Sequence, residues 1–134
     1  DDERLPVVGT YGVFAPRLHP VIKAFNIFAP IIIDSQPAGA WTGVSDLERC
    51  LATRSSDNFS TNVKIGDPIQ GIKTAMVTIE QKKRVQIDLT TKKLGDIRMI
   101  SIPLLDEETG DIEGTFGITV PRNIARDLLE WLTG

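Results

Sequence analysis

Three segments in the C-terminal half of the chain alternate apolar and polar residues with a period of two. "RVQIDL" (84–89) sets Val85, Ile87 and Leu89 on one face. "IRMISIPLL" (97–105) does the same with Ile100, Ile102 and Leu104, and "IEGTFGITV" (112–120) with Ile112, Phe116, Ile118 and Val120. This period belongs to half-buried antiparallel strands, since parallel strands covered on both faces read as unbroken apolar runs. "DEETGD" (106–111) joins the last two segments, and Asp106, Glu107, Glu108, Asp111 and Glu113 crowd around it. A calcium loop of the EF-hand type needs oxygen ligands at alternate positions and a glutamate at the twelfth. Here Gly110 falls where a ligand should be, and the twelfth residue is Gly117. The run therefore reads as a hairpin turn with Gly110 at positive φ. Gly114 and Gly117 inside the last strand point to a bulge, or to a face on which something packs closely.

The remaining sequence supplies two more strands and three helices around this core. Residues 1–19 form an irregular lead-in with Pro6, Gly9, Gly12 and Pro16. A helix over 20–34 starts at Pro20, where proline suits the first turn. Pro30 is expected to kink or end it. Its residues Val21, Ile22, Phe25, Ile27, Phe28 and Ile31 do not fit one stripe. Such a helix buries several faces, so a symmetric dimer through it is expected. "GAWTGVS" (39–45) suits a strand; "LERCLAT" (47–53) reads as a returning strand or a short helix. A polar loop with Phe59 and the turn "IGDPI" (65–69) follow. Ile72, Ala75, Met76 and Ile79 then recur at helical spacing. A last helix over 121–133 carries Ile124, Leu128 and Trp131 on its stripe.

Length and charge narrow the function. A chain of 134 residues suits one domain with a real core. A net charge of −3 gives no footprint for nucleic acid, which needs clustered Lys and Arg. The lone cysteine, Cys50, excludes an internal disulfide and is compatible with a reducing compartment. The most apolar stretch, "VIKAFNIFAPIII" (21–33), contains Lys23, Asn26 and Pro30 and is too short to span a membrane, which takes roughly 20 apolar residues. Residue 1 is Asp rather than Met, so the chain reads as a processed product or an excised domain.

No nucleophile, base and orienting group come together in the sequence, so no enzyme is expected. The only histidine, His19, has two readings: a residue at the helix start, or an axial ligand of haem. Cys50 reads as a small buried hydrophobe. Arg98 shares a strand face with Ile100, Ile102 and Leu104. If that face looks inward, Arg98 is placed to bind a ligand carboxylate; otherwise it lies at the sheet edge and pairs with Asp88 or Asp96. Trp41 and Phe59 are candidates for lining a pocket. Met99 and Ser101 occupy the strand face opposite Arg98, and Thr115 the face opposite Phe116, so either face could carry a site.

The order of motifs resembles the PAS-like sensor domains of bacterial methyl-accepting chemotaxis proteins and sensor histidine kinases. "GVSD" (43–46) is similar to that family's first strand, "IGDPI" to its Gly-Asp-Pro turn, and "IPLLD" followed by "IEGTFGITV" to its last two strands. The match spans 37–120. It departs at the longer turn "DEETGD" and at "EQKKR", where the family commonly has Gly-Lys. The resemblance implies an α+β fold: a five-stranded antiparallel sheet, helices on one face, and flanking N- and C-terminal helices. It implies a ligand-sensing input domain on the cytoplasmic side, of a receptor that a membrane helix outside the chain could anchor. A signalling region would follow Gly134. The alternative is a PAS-like dimerisation module with a filled core. Ligands across the family include haem, flavins and small organic molecules, and no residue here selects among them.

Overall fold

The computed structural model describes residues 18–59, 61, 63–122 and 132–133. The lead-in up to residue 17, the His19 side chain and the proposed C-terminal helix at 123–131 lie outside the described residues. The elements are α1 (His19–Asp34), β1 (Trp41–Ser45), β2 (Cys50–Ser55), a 3-10 turn (Ile69–Gly71), α2 (Lys73–Gln81), β3 (Val85–Thr91), β4 (Gly95–Leu105) and β5 (Ile112–Pro121).

The strands form one antiparallel sheet in the order β2-β1-β5-β4-β3. "LERCLAT" resolves as a strand, β2, which begins at Cys50. Asp46 turns the chain from β1 to β2: its Oδ1 accepts the Glu48 and Arg49 amides at 2.7 Å each. The acidic run is the β4–β5 turn. Asp106 Oδ1 accepts the amides of Glu108 and Thr109 at 2.7 and 2.9 Å, and Gly110 sits at φ 77°. These bonds are those of an Asx turn, in which the carboxylate takes the place of a backbone acceptor.

The middle segment, with its 3-10 turn and α2, crosses one face of the sheet, here called the inner face. It carries Trp41, Gly43 and Ser45 of β1, Thr115 and Gly117 of β5, and Met99 and Ser101 of β4. α2 ends on Lys82 at φ 58°, a left-handed conformation that glycine adopts freely. That is the physical meaning of the "EQKKR" departure.

α1 is the N-terminal flanking helix and does not share the face that α2 covers. It lies on the outer face, where Leu18, Ile22, Phe25 and Ala29 pack with Val44, Leu51 and Ala52. Phe28, Leu104 and Phe116 complete this cluster. Phe25, Phe28 and Phe116 meet edge to face, with ring centroids 5.8 to 6.3 Å apart. The helix continues through Pro30 to Asp34, and Ser35 Oγ then donates to the Ile32 carbonyl at 2.7 Å. β1 is thus buried along its whole length, lying between two strands and beneath two helices. No helix among the described residues is long and apolar enough to cross a membrane.

Candidate functional site

The candidate site is the seam between α2 and the inner face of the sheet. Helix–sheet seams are ordinarily filled by large aliphatic side chains. Here α2 turns Thr74, Ala75 and Thr78 inward and leaves Met76 exposed. The sheet answers with equally small or polar groups. Gly43 and Gly117 are cross-strand partners, and Ser45 pairs with Thr115 in the same register. Their hydroxyls, Ser45 Oγ and Thr115 Oγ1, share a hydrogen bond of 2.8 Å.

The Trp41 indole lies over Gly43. A Cβ at position 43 would come within 2.6 Å of the ring, so only glycine leaves that space. Phe59 and Ile97 bury with Trp41, and Met99 packs against them. What remains open beside the indole is small. It is lined by Trp41, Ser45, Cys50, Thr74, Ser101 and Thr115, and it leaves about 10 Å³ to the centre of a water-sized sphere. That is room for a single water molecule.

Three buried polar atoms of this layer have no partner among the described protein groups: Trp41 Nε1, Ser101 Oγ and Thr78 Oγ1. Trp41 and Ser101 line the same cavity. Leaving such a group unpaired costs about 1–3 kcal/mol. No charged side chain lines the space. Its lining is an indole, hydroxyl side chains and an apolar wall, a set that suits an uncharged polar molecule.

Of the sequence candidates, Trp41, Ser101 and Thr115 come together at this cavity, and Phe59 and Met99 stand behind Trp41. Arg98 is on the outer face, in register with Asp88. Its Nε and Nη2 donate to Asp88 Oδ1 and Oδ2 at 2.9 and 3.2 Å. Arg122 Nε approaches the same carboxylate at 3.4 Å. The Arg98 hydrogen bonds hold the Asp88 carboxyl below its ordinary range. The condition for an anion-binding Arg98, an inward face, is not met; the alternation of β4 points it away from the cavity. Ser45, Thr74 and Ala75 were not singled out from sequence. The signal available for them was the i, i+4 pair Thr74 and Thr78, polar residues on what proves to be the buried stripe.

Cys50 lines the same cavity, fully buried. Burial pushes its thiol up to about 12, and the Asp67 carboxylate adds to the effect. Alkylation needs the thiolate. Iodoacetamide at neutral pH is therefore expected to leave Cys50 unlabelled in the folded protein and to label it once denaturant is added. Labelling of the native protein at the rate of a free thiol would show that the seam opens readily.

A larger open groove among the described residues lies elsewhere, between the start of α1 and the β4–β5 turn. It measures about 470 Å³ and is walled by Asp106, Glu107, Glu108 and Glu113. Its acidic rim carries no cation to balance it among its lining residues, and it is not the candidate site.

No protein-family model matches the chain, and neither does any curated protein. Two solved structures are similar to it in part. One is the C-terminal domain of a protein from Streptococcus mutans, at 16% identity and a TM-score of 0.45, covering 75% of this chain and 87% of that one. The other is the PAS domain of a protein from Colwellia psychrerythraea, at 14% identity and a TM-score of 0.45, covering 76% of this chain and 97% of that one.

Proposed function

We propose that this chain is a sensor-type input domain of a bacterial signal-transduction protein, chemoreceptor-like, which takes up a small uncharged polar molecule between α2 and the sheet. The observation that carries this reading is the pair of unpartnered buried polar atoms, Trp41 Nε1 and Ser101 Oγ, at one charge-free cavity. A ligand that bonds both, in place of the single water the cavity admits, supplies differential free energy between closed and occupied states. Anything larger than water displaces α2. Thr115 and Gly117 of β5 form part of the seam, and β5 runs directly to Arg122. Movement at the seam therefore reaches the C-terminal end of β5 through the strand itself.

The test is a thermal-shift screen of small neutral amides, alcohols and heterocycles beside a matched set of organic acids. Neutral compounds are expected to raise Tm and acids to leave it unchanged. Ser101→Ala serves as the paired variant. In the ligand-free protein it removes an unsatisfied hydroxyl, so stability by urea titration is expected to rise by about 1 kcal/mol. The same variant is expected to lose most of the stabilisation by any neutral hit. Stabilisation by acids alone, or a Ser101→Ala protein that responds like the parent, would sink the reading.

A second reading, an interaction module without a ligand, is favoured by the small size of the cavity and by the Trp41 ring that fills the seam. Under that reading no compound shifts Tm, and Ser101→Ala is stabilising and nothing more.

A further inference from the structure

Helix α1 keeps two large aliphatic side chains in solvent. Ile27 is 72% exposed and Ile31 66%, while Ile22, Phe25 and Ala29 on the other side are buried in the core. Ala24 is also exposed and precedes them. The spacing 24, 27, 31 is that of a two-helix seam, with intervals of three and four residues. A small residue at one end of such a seam lets a second helix come close.

The charges beside the stripe have an order that matches itself. Lys23 and Asp34 are exposed, and neither forms an ion pair among the described residues. They are eleven residues apart, about three full turns, so both fall on the same flank of the stripe. We infer that α1 pairs with α1 of a second copy of this chain, antiparallel, about a twofold axis near Ala29. Ile27 then sets against Ile31 of the second copy, and Ile31 against its Ile27. On the shared flank Lys23 stands beside Asp34 of the second copy, and the contact occurs twice. In a parallel pair the two charges would stay at opposite ends of the helix, about 16 Å apart. The antiparallel sense brings them together, and a twofold contact of this kind closes on itself. The occupant is a second copy because the stripe and its flanking charges are complementary to themselves in one register.

Not every apolar residue of α1 can serve as a probe of the dimer. Ile22 is wholly buried against the sheet. Ile22→Asp would report unfolding and not association. Ile27→Asp and Ile31→Asp act on solvent-facing positions, and circular dichroism should show the fold retained.

Sedimentation equilibrium on the whole chain is the measurement. The parent is expected to dimerise, and Ile27→Asp to raise the dissociation constant by about tenfold or more. Lys23→Glu alone and Asp34→Lys alone are each expected to weaken the dimer. The double variant, Lys23→Glu with Asp34→Lys, is expected to regain most of the parent affinity. That recovery cannot arise within one helix, because the two positions are too far apart to touch. A parent that sediments as a monomer at high micromolar concentration overturns the inference and leaves the stripe to another kind of partner. An Ile27→Asp protein that dimerises like the parent overturns it as well, by placing the contact on another surface. A double variant no tighter than the single variants overturns the antiparallel register.

Discussion

Phe25→Ala is expected to cost about 3–5 kcal/mol, which is a third or more of the stability of an ordinary domain. Phe25 is 1% exposed and belongs to the fully buried part of the outer-face core. Its ring meets Phe28 and Phe116 edge to face at 6.0 and 6.3 Å, so truncation removes both contacts along with the buried area. The hole cannot close easily. The ring stands between a helix on one side and the β1–β5 pair on the other, and both are held by other contacts. Urea titration of the variant measures the loss directly. A cost below about 1 kcal/mol would mean that α1 is not docked on the sheet in solution, which would also remove the geometric basis of the helix pairing.

Gly114→Ala is expected to be nearly as damaging, at about 3 kcal/mol, although it adds a single methyl group. A Cβ at position 114 would lie 2.1 Å from the Ser45 carbonyl oxygen and 3.2 Å from its carbon. Both are backbone atoms and cannot rotate aside. The register of β4 against β5 shifts at this point, between Leu104 and Leu105, so the strand is already bent. Gly71→Ala is the control, since nothing lies within 4 Å of its added carbon and its φ is ordinary. Thermal unfolding should separate the two variants clearly. Equal Tm values would mean that β1 and β5 can slide apart at little cost.

The parts of the fold that face water on one side could be read from sequence, and those covered on both sides could not. β3 alternates because one face is more exposed than the other. In β4 and β5 the alternating apolar set is the half-buried outer face, and the inner face buries Ser101, Thr115 and Thr119. All five residues of β1 are buried, so it carries no alternation and was found only by composition. β2 starts buried and ends exposed, with a register shift opposite its first residues, which is why a short helix competed with it. α2 was legible as a helix, but its inward face was not. Ile72, Ala75, Met76 and Ile79 form the apolar pattern; Ala75 is buried and Ile72 lines the cavity, but Met76 is exposed and the polar Thr74 and Thr78 are buried instead. A hydrophobicity rule misses the inward threonines when the facing sheet is itself made of Gly, Ser and Thr.

The same limit governed the site. Ser101 and Thr115 could be nominated because strand periodicity puts them on the faces opposite Arg98 and Phe116, and Trp41 because an aromatic can line a pocket. Which face looked inward depended on where the two helices crossed, and that is a tertiary fact. The Arg98–Asp88 pair needed the register of β3 against β4. Asp88 and Asp96 were both open as partners until that register was known.

The central pairing of β1 with β5 has a consequence for how the molecule is made. Ser45 and Thr115, bonded in the finished sheet, are 70 residues apart in the chain. During synthesis β1 and β2 emerge early and can pair at once, but the other edge of β1 has no neighbour until β5 leaves the ribosome. Its amides and carbonyls then form an open edge bordered by aromatic and aliphatic side chains, a template for pairing with other nascent chains. Contacts of such long sequence separation also close slowly. The nascent protein should therefore depend on chaperone protection more than its modest size suggests. A circular permutant that brings β5 next to β1 in sequence should fold faster, although the finished contacts would be the same.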